Sequence, residues 1–331
     1  MRSGKLRHLL GGALAIAAVA LGAAAPAGAQ AFPARPVRLI VPFPPGGATD
    51  VFARQYASRM AAALGQPMVI DNKSGAGGAI GAVEVKKADP DGYTLLFGSA
   101  SNLGLYNLMS TTPLYDALKD FVHVASLGGV PIVFAVNLSM PQTLKGVVDL
   151  ARARPGSIQY ASPGQGTYLH LAAERLKKET GDIDVQHIPF RGGAQTLPAL
   201  LGGQVGLSVE TLGAALAAHR AASLRILAVA SATRSPLAPE VPTVDEAIGT
   251  KGFEAVLWNV VAAPNGTPAA VIDILAVATR KVLADPALKE QLGKVGIQPT
   301  PESGPAAATA YIRTEIEKWR PVVEATGIRI Q

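Results

Sequence analysis

The chain has 331 residues, including 30 Lys and Arg against 24 Asp and Glu, for a formal net charge of +6. It contains no cysteine, which excludes disulfides, thiolate metal sites, a cysteine nucleophile and a lipid-modified N-terminal cysteine. The basic excess comes without a Lys/Arg cluster or a basic stripe interleaved with aromatic residues, so we expect no nucleic-acid partner.

Residues 1–31 have the pattern of a cleavable secretory signal peptide. Arg2, Lys5 and Arg7 precede an apolar run over residues 9–25, and small residues at 27–29 or 29–31 offer two cleavage sites. An uncleaved anchor is the alternative, but the run is short for a membrane span, which needs about 20 residues. The mature chain would carry 27 basic and 24 acidic residues. We therefore predict an exported, periplasmic protein.

Beyond the leader, short β-branched runs alternate with helical patterns, which is typical of βα units on a mostly parallel sheet. Strands are predicted at 37–41, 68–70, 93–97, 132–136, 158–161, 185–188, 205–209, 224–230 and 256–262. Phe52, Tyr56 and Met60 recur every four residues and predict one apolar face of a helix that starts at Asp50. Further helices are predicted at 143–153, at 286–295, at 305–325 and, from apolar spacing, over 271–282.

The chain is expected to form two lobes. Around residues 120–131 the pattern loosens, and a new set of strands and helices begins, which indicates a crossing into a second lobe. A proline-rich connection at 236–243 then leads back. We predict that residues 32–127 and 232–331 form a discontinuous first lobe and that residues 128–231 form the second.

The segment VPFPPGGATD (residues 41–50) joins the first strand to the first helix. Its prolines hold the entry extended, and its glycines let the backbone approach another group closely. Thr49 or Asp50 can cap the helix, whose free N–H groups and positive dipole end favour an anion. The segment therefore predicts a binding loop for a carboxylate or a phosphate.

Five polar, glycine-rich segments follow predicted strands, at 43–50, 98–102, 162–167, 190–193 and 210–211. Ligands bind at this edge of open α/β sheets, so the five segments predict a ligand-binding cleft. The loop at 162–167 repeats the design of the first one. His170 lies one turn into the next helix and could face the ligand, although a structural histidine is the plainer interpretation.

Enzyme signatures are mostly missing from the sequence. There is no Gly-x-Ser-x-Gly elbow and no Walker A motif, and the two nearest dinucleotide fingerprints have Ile80 and Leu169 in place of the third glycine. The histidines show no short ligand spacing. We expect a protein that is not an enzyme and has no metal or cofactor.

The chain also resembles the Bug family, the periplasmic solute receptors of tripartite tricarboxylate transporters. The resemblance rests on five segments in order over nearly all of the mature chain: VPFPPGGATD (41–50), GAGGAIGA (75–82), DPDGYTLL (89–96), LLGGQV (200–205) and PEVPTVDEA (239–247). It implies an α/β, two-lobed periplasmic binding protein of the type II (Venus flytrap) kind. Each lobe would be a mostly parallel sheet flanked by helices, with the ligand closed between the lobes.

The resemblance further implies a monomeric receptor that captures a small carboxylate and delivers it to a membrane permease. Ligands of the family include di- and tricarboxylates, acidic amino acids and aromatic acids, held by backbone N–H groups, hydroxyls and waters of the loops after the first strands of each lobe. With the residues at the other strand ends, the candidate ligand-binding residues are Phe43, Gly46, Gly47, Ala48, Thr49, Asp50, Ser99, Ser101, Ser162, Gln165, Gly166, Thr167, His170, Arg191, Gly192 and Glu210.

Glu210 departs from the Asp that many members of the family carry. An ionised side chain there would oppose an anionic ligand by about 4 kcal/mol at 4 Å and an effective dielectric of 20. It is therefore turned away, paired with Arg191, or aimed at a cationic group of the ligand. Pro163 and Tyr168 add bulk that would reshape the pocket, which leaves the particular carboxylate open.

Two other functions stay open at this point. A sensory receptor for a membrane kinase would bind the same ligands, and the sequence does not separate it from a transport receptor. A periplasmic hydrolase would use His170 with Ser99, Ser101 or Ser162, but the missing elbow and the missing carboxylate partner motif speak against it.

Overall fold

The structure is a computed structural model that describes residues 32–300 and 304–330. The predicted signal peptide, residues 1–31, lies outside the described residues. The strands and helices named below belong to one compact unit, Arg35–Gln331.

Nine strands are found in the described residues. They are β1 (Val37–Val41), β2 (Met68–Asn72), β3 (Thr94–Ser99), β4 (Phe121–Val136), β5 (Ile158–Ser162), β6 (Val185–Pro189), β7 (Leu207–Thr211), β8 (Arg225–Val229) and β9 (Val256–Pro264). All predicted strands are present, and the ends of all but β4 lie within two residues of the prediction.

The helices of the described residues lie between and after these strands. They are α1 (Ala48–Leu64), α2 (Ala79–Lys86), α3 (Tyr106–Met109), α4 (Leu144–Ala153), α5 (Tyr168–Glu179), α6 (Gly193–Leu201), α7 (Leu212–Arg220), α8 (Val244–Ile248), α9 (Ala269–Ala284), α10 (Pro286–Lys294) and α11 (Pro305–Thr326). A short 3₁₀ turn (Ala76–Gly78) and a π-helical turn (Ala100–Leu105) complete the set.

The strands form one mixed sheet in the order β2-β1-β3-β9-β4-β7-β5-β6, with β8 beside β4. In one half, β1 runs parallel to β2 and β3. In the other half, β5 runs parallel to β6 and β7. The pairings of β9 and β4 that connect the two halves are antiparallel. Each half thus keeps a parallel core of three strands, as expected from the βα pattern.

Strand β4 belongs to both halves of the sheet. Its residues 121–131 pair with β9, and its residues 132–136 pair with β7 and β8. No strand is predicted at 120–131, where the sequence pattern loosens, but residues 121–131 are the first part of a 16-residue strand. The alternation of side chains that marks a strand is interrupted here by Gly128, by Gly129 and by two shifts in register against β9. Gly128 has φ +112° and lies so close to the carbonyl of Gln298 that a Cβ would clash with it.

Helix α1 has the apolar face that its spacing predicts. Phe52, Tyr56 and Met60 are all at most 1% exposed. The ring of Phe52 meets Phe97 edge-on at 5.5 Å, and the hydroxyl of Tyr56 lies 2.7 Å from Oγ1 of Thr279 on α9. Burial of these side chains fixes the helix on the sheet, so its N-terminus is held at the carboxyl end of β1.

Residues 210–211 were expected in a loop, but they are the last two residues of β7. Glu210 pairs with Val133 of β4 and is 2% exposed. The difference arises because the predicted strand, 205–209, starts two residues too early, whereas the long-range pairing with β4 sets the true register.

Candidate functional site

A cavity of about 80 Å³ lies between the two halves of the sheet, at the carboxyl ends of β1, β5, β6 and β7. This is the edge at which ligands bind in open α/β sheets. The lining residues are Phe43, Pro44, Gly46, Gly47, Ala48, Thr49, Ser101, Pro163, Thr167, Leu169, Gly192, Gly193, Glu210, Thr211, Ala214 and Leu257.

A second cavity, of about 580 Å³, is larger but lies elsewhere. It is bordered by residues of β4, β9 and α11, among them Gly129, Trp258 and Tyr311. Position decides between the two cavities, because only the smaller one lies at the carboxyl ends of the parallel strands and is lined by the starts of several helices. We therefore take the smaller cavity as the candidate site.

The start of α1 supplies backbone donors to this cavity. The backbone N–H groups of Gly47, Ala48 and Thr49 have no hydrogen-bond partner among the described residues. They are the orphan donors at a helix N-terminus, where the helix dipole is positive. All three residues line the cavity, so the start of α1 forms the kind of site that accepts a negatively charged oxygen.

Asp50 does not line the cavity, although the sequence placed it among the ligand-binding residues. Its buried carboxylate turns back to accept hydrogen bonds from the N–H of Gly46 at 2.9 Å, from Arg54 and from the side-chain amide of Asn72. Burial alone would raise the pKa of Asp50, but these three hydrogen bonds outweigh it and lower that pKa below its usual value. The residue therefore fixes the loop in place without capping the first turn of α1.

Glu210 lines the same cavity from the other half of the sheet. Oγ of Ser208 donates a hydrogen bond of 2.6 Å to its carboxyl oxygen Oε1. Burial raises the pKa of Glu210 to about 7, against smaller lowering effects of hydrogen bonds with Ser208 and Thr196. Within the described residues it forms no ion pair with Arg191, whose side chain is exposed. The pairing with Arg191 considered from the sequence is therefore wrong.

The loop that precedes α5 is held mainly by its own hydrogen bonds. Ser162 accepts the N–H of Gly164 at 3.2 Å and lies 2.7 Å from Nε2 of His187. The Thr167 hydroxyl donates to the carbonyl of Gly164 at 2.7 Å and accepts the N–H of His170, which makes Thr167 the N-cap of α5. Of this loop, the cavity lining includes Pro163 and Thr167. The bulk expected from Pro163 is thus at the site.

His170 is buried behind the loop and does not line the cavity. Its ring stacks on that of His187 at 4.1 Å, and His187 stacks on Tyr160 at 4.8 Å. Burial lowers the pKa of both histidines to about 4. The side chain of His170 also accepts the N–H of Gly166 at 3.3 Å. This histidine has the structural surroundings that the plainer interpretation predicts.

The two serines after β3 have different surroundings. Ser99 is fully buried and forms a capping box with Asn102. Ser101 lines the cavity, and its hydroxyl accepts the backbone N–H of Tyr168 at 3.0 Å. Because Ser101 and Tyr168 belong to different halves of the sheet, this bond joins the halves across the site.

Nine of the sixteen residues predicted from the sequence line the cavity: Phe43, Gly46, Gly47, Ala48, Thr49, Ser101, Thr167, Gly192 and Glu210. The other seven do not: Asp50, Ser99, Ser162, Gly166 and His170 are buried behind it, and Gln165 and Arg191 are exposed. Leu169, Ala214 and Leu257 line it without having been predicted. These are apolar residues with no local signal, brought to the site by α5, α7 and β9.

Ser162 and His187 approach each other closely enough for a nucleophile and a base, but their position does not suit catalysis. Ser162 has no exposed surface, and neither residue lines the cavity. Within residues 32–300 and 304–330, no cluster of three or more His, Asp or Glu side chains could hold a metal ion. In the same residues no helix is both long and apolar enough to cross a membrane.

A ligand cavity between two α/β halves joined by shared strands defines the two-lobed fold of the periplasmic binding proteins. Two solved structures share the fold over nearly the whole described chain. One, from R. palustris, contains adipate; it is 34% identical, with a TM-score of 0.85 over 90% of this chain and 99% of that one. The other is MatC from Rhodopseudomonas palustris with bound malate, 32% identical, with a TM-score of 0.84 over 88% and 100%.

Sequence comparison defines the family more closely. The profile of the tripartite tricarboxylate transporter family receptor matches residues 52–328. Protein BugT of Bordetella pertussis is 38% identical over 314 residues, which cover 94% of this chain and 95% of the relative. The chain therefore belongs to the tripartite tricarboxylate transporter receptor family, and the resemblance to the Bug proteins is confirmed.

Proposed function

We propose that this protein is a periplasmic receptor that captures a small carboxylate between its two lobes and delivers it to a membrane permease of the tripartite tricarboxylate type. The observation that carries the proposal is that Gly47, Ala48 and Thr49 line the cavity with backbone N–H groups that have no partner in the described part of the chain. Backbone donors at a positive helix end bind a carboxylate oxygen through charge-assisted hydrogen bonds.

The relatives support this ligand class, since adipate and malate, bound in the two structures above, are both dicarboxylates. The cavity itself supports an anion held by neutral donors. No lysine, arginine or histidine is among its lining residues in the described part of the chain. Transport and not turnover is the expected role, because the buried Ser162–His187 pair lies outside the cavity lining.

The proposed first lobe comprises residues 32–127 and 232–331, and the second comprises residues 128–231. Three strand segments meet at the boundary. The N–H of Ile132 donates to the carbonyl of Ala255, the N–H of Ala255 to that of Ala230, and the N–H of Ala230 to that of Ile132. Rotation about this junction would open the cleft and release the ligand by a hinge motion.

A ligand screen tests the proposal directly. The mature chain, without residues 1–31, is expressed and its thermal unfolding is measured with mono-, di- and tricarboxylates and with amides, amines and neutral sugars. A ligand at a hundredfold excess over Kd stabilises the folded state by ~2.7 kcal/mol, so binding gives a clear shift in Tm. Stabilisation by amides, amines or sugars and by no acid would contradict the proposal.

Delivery of the ligand to the permease needs a separate measurement. Uptake of the identified acid is followed in membrane vesicles that contain the permease, with and without the purified receptor. Uptake that depends on the receptor supports transport. Binding without any effect on uptake would favour the sensory receptor, and slow conversion of the bound acid would favour a hydrolase.

A further inference from the structure

Glu210 is the one ionisable side chain among the described residues that line the cavity. The rest of the lining consists of glycine, proline, apolar, serine and threonine residues from α1, α5, α6, α7, β7, β9, the π-helical turn after β3 and the loops before α1, α5 and α6. The nearby charged groups are engaged elsewhere. Asp50 binds Arg54, His170 stacks on His187, and Arg191 is exposed. A ligand in the cavity therefore meets the Glu210 carboxyl without a protein cation to offset its charge.

We propose that Glu210 meets the ligand as a neutral carboxylic acid that donates a hydrogen bond to an acceptor at the far end of the bound carboxylate. This inference rests on the proposed function. It assigns the ligand class as a carboxylate with a second acceptor, such as a second carboxylate, a carbonyl or a hydroxyl. It also means that capture of the ligand is coupled to uptake of a proton by the protein.

The geometry gives the two ends of the cavity different tasks. The start of α1 presents N–H groups, which suit an ionised carboxylate. The carboxyl oxygen Oε1 of Glu210 accepts a hydrogen bond from the Ser208 hydroxyl at 2.6 Å, and Thr196 is a second, smaller influence on the same carboxyl. We therefore place the proton of the neutral acid on Oε2. An ionised Glu210 offers only acceptors, and it would face the lone pairs and the charge of an anionic ligand.

Burial prepares the residue for this role. The side chain is 2% exposed, and burial holds its pKa near 7, so protonation at neutral pH costs little. An anion in the cavity raises that pKa further, because a nearby like charge disfavours the ionised form. The same residue in a site for a cationic ligand would instead be held ionised, with affinity increasing as the pH rises.

Calorimetric titration with adipate and hexanoate tests the proposal. The two acids have the same chain length, but hexanoate lacks the second acceptor. Titrations are made from pH 6.5 to 8.5 in buffers of different ionisation enthalpy, which gives affinity and proton uptake together. The variants are Glu210→Gln, which keeps a neutral donor of similar shape, and Glu317→Gln, a control at an exposed surface carboxylate.

For the wild type and the Glu317→Gln control, adipate affinity should fall about twentyfold between pH 6.5 and 8.5, as expected for a group with a free pKa of about 7 that must be protonated in the complex. Nearly one proton should be taken up per adipate at the upper pH. Glu210→Gln should bind adipate with a flat pH profile and no proton uptake. The wild type should prefer adipate to hexanoate.

Several results would overturn the proposal. The proposal fails if the wild type binds adipate with an affinity that is constant or increases as the pH rises. It also fails if adipate binds without proton uptake. Neither measurement needs a variant. Tighter binding of 6-aminohexanoate than of adipate would assign Glu210 to a cationic group instead. These outcomes leave carboxylate capture standing, whereas a failure of every carboxylate to bind would overturn the proposed function as well.

Discussion

The loops that open α1 and α5 have similar sequences, rich in glycine with a threonine near the helix start, yet they use their backbone N–H groups differently. In the first loop the N–H groups of Gly47, Ala48 and Thr49 have no partner among the described residues, and all three residues line the cavity. In the second loop, the hydroxyl of Ser101 accepts the N–H of Tyr168, and the hydroxyl of Thr167 accepts the N–H of His170. The first loop therefore offers donors for the proposed ligand, whereas the second uses its own N–H groups to hold the loop and the helix start together.

The side chains near the two loops follow the same division. Asp50 holds the first loop from outside the cavity, which leaves the backbone free for a ligand. In the second loop, Ser162 and Thr167 bond back to Gly164. Similar motifs in the two lobes thus do not imply equal contributions to binding. The expected asymmetry can be measured with matched substitutions.

The largest expected effect comes from filling the first loop. Gly47 has an ordinary φ of −77°, and a Cβ there would meet nothing closer than 3.9 Å, so Gly47→Leu should fold normally. Its side chain would occupy the cavity beside the free N–H groups. We expect affinity to fall by about 1,000-fold, or roughly 4 kcal/mol.

Gly293→Leu is the matched control, because Gly293 lies in α10, where nothing is within 4 Å of an added Cβ, and does not line the ligand cavity. Calorimetry measures affinity and urea unfolding measures stability for both variants. Near-normal affinity in Gly47→Leu would show that the ligand does not approach this loop.

The stability of the protein should decrease in acid because of His170, which is buried in α5 behind the second loop. Burial depresses the pKa of His170 to about 4, from an ordinary value of 6.5. A depressed histidine pKa contributes stability above pH 6.5 that is lost as the pH falls toward 4. The loss should approach about 3 kcal/mol, since one pKa unit corresponds to about 1.36 kcal/mol.

Urea unfolding of the wild type and of His170→Asn at several pH values isolates this contribution. The comparison is made at each pH because Glu210 has the opposite sign, as its raised pKa removes stability when the pH rises toward 7. The variant should lose clearly less stability than the wild type between pH 6.5 and 4. Parallel profiles would contradict the assignment of His170 as a buried neutral residue.

Substitutions of Thr49 and Thr167 should have smaller effects, one on ligand binding and the other on stability. Thr49 lines the cavity, and its hydroxyl has no hydrogen-bond partner within the described residues, whereas the hydroxyl of Thr167 caps α5. Thr49→Val should weaken ligand binding by about 1 kcal/mol, the usual contribution of one neutral hydrogen bond, and leave unfolding unchanged. Thr167→Val should lower the free energy of unfolding by about 1 kcal/mol, as for other lost caps. Equal losses of affinity in both variants would mean that the loops act alike.

Most of the fold could be predicted from the sequence, but much of the difference between the two loops could not. Periodicity places α1, because Phe52, Tyr56 and Met60 form a local pattern, and the parallel strands follow from their β-branched runs. The surroundings of Glu210 depend on its pairing with Val133, far away in the chain. Leu257 reaches the cavity from β9, and nothing near it in the sequence marks it as a site residue.

The smallest expected effect concerns the bond between the π-helical turn after β3 and the start of α5. Oγ of Ser101 accepts the N–H of Tyr168 at 3.0 Å across the cleft, so this bond breaks when the lobes separate. A neutral hydrogen bond contributes about 1 kcal/mol, and Ser101→Ala should therefore speed ligand release about fivefold without changing the association rate. Ser99→Ala, within the same turn, is the control, because Ser99 is bonded to Asn102 of its own lobe. Stopped-flow release measurements distinguish the two: an unchanged rate in Ser101→Ala would show that the second loop braces itself without holding the cleft closed.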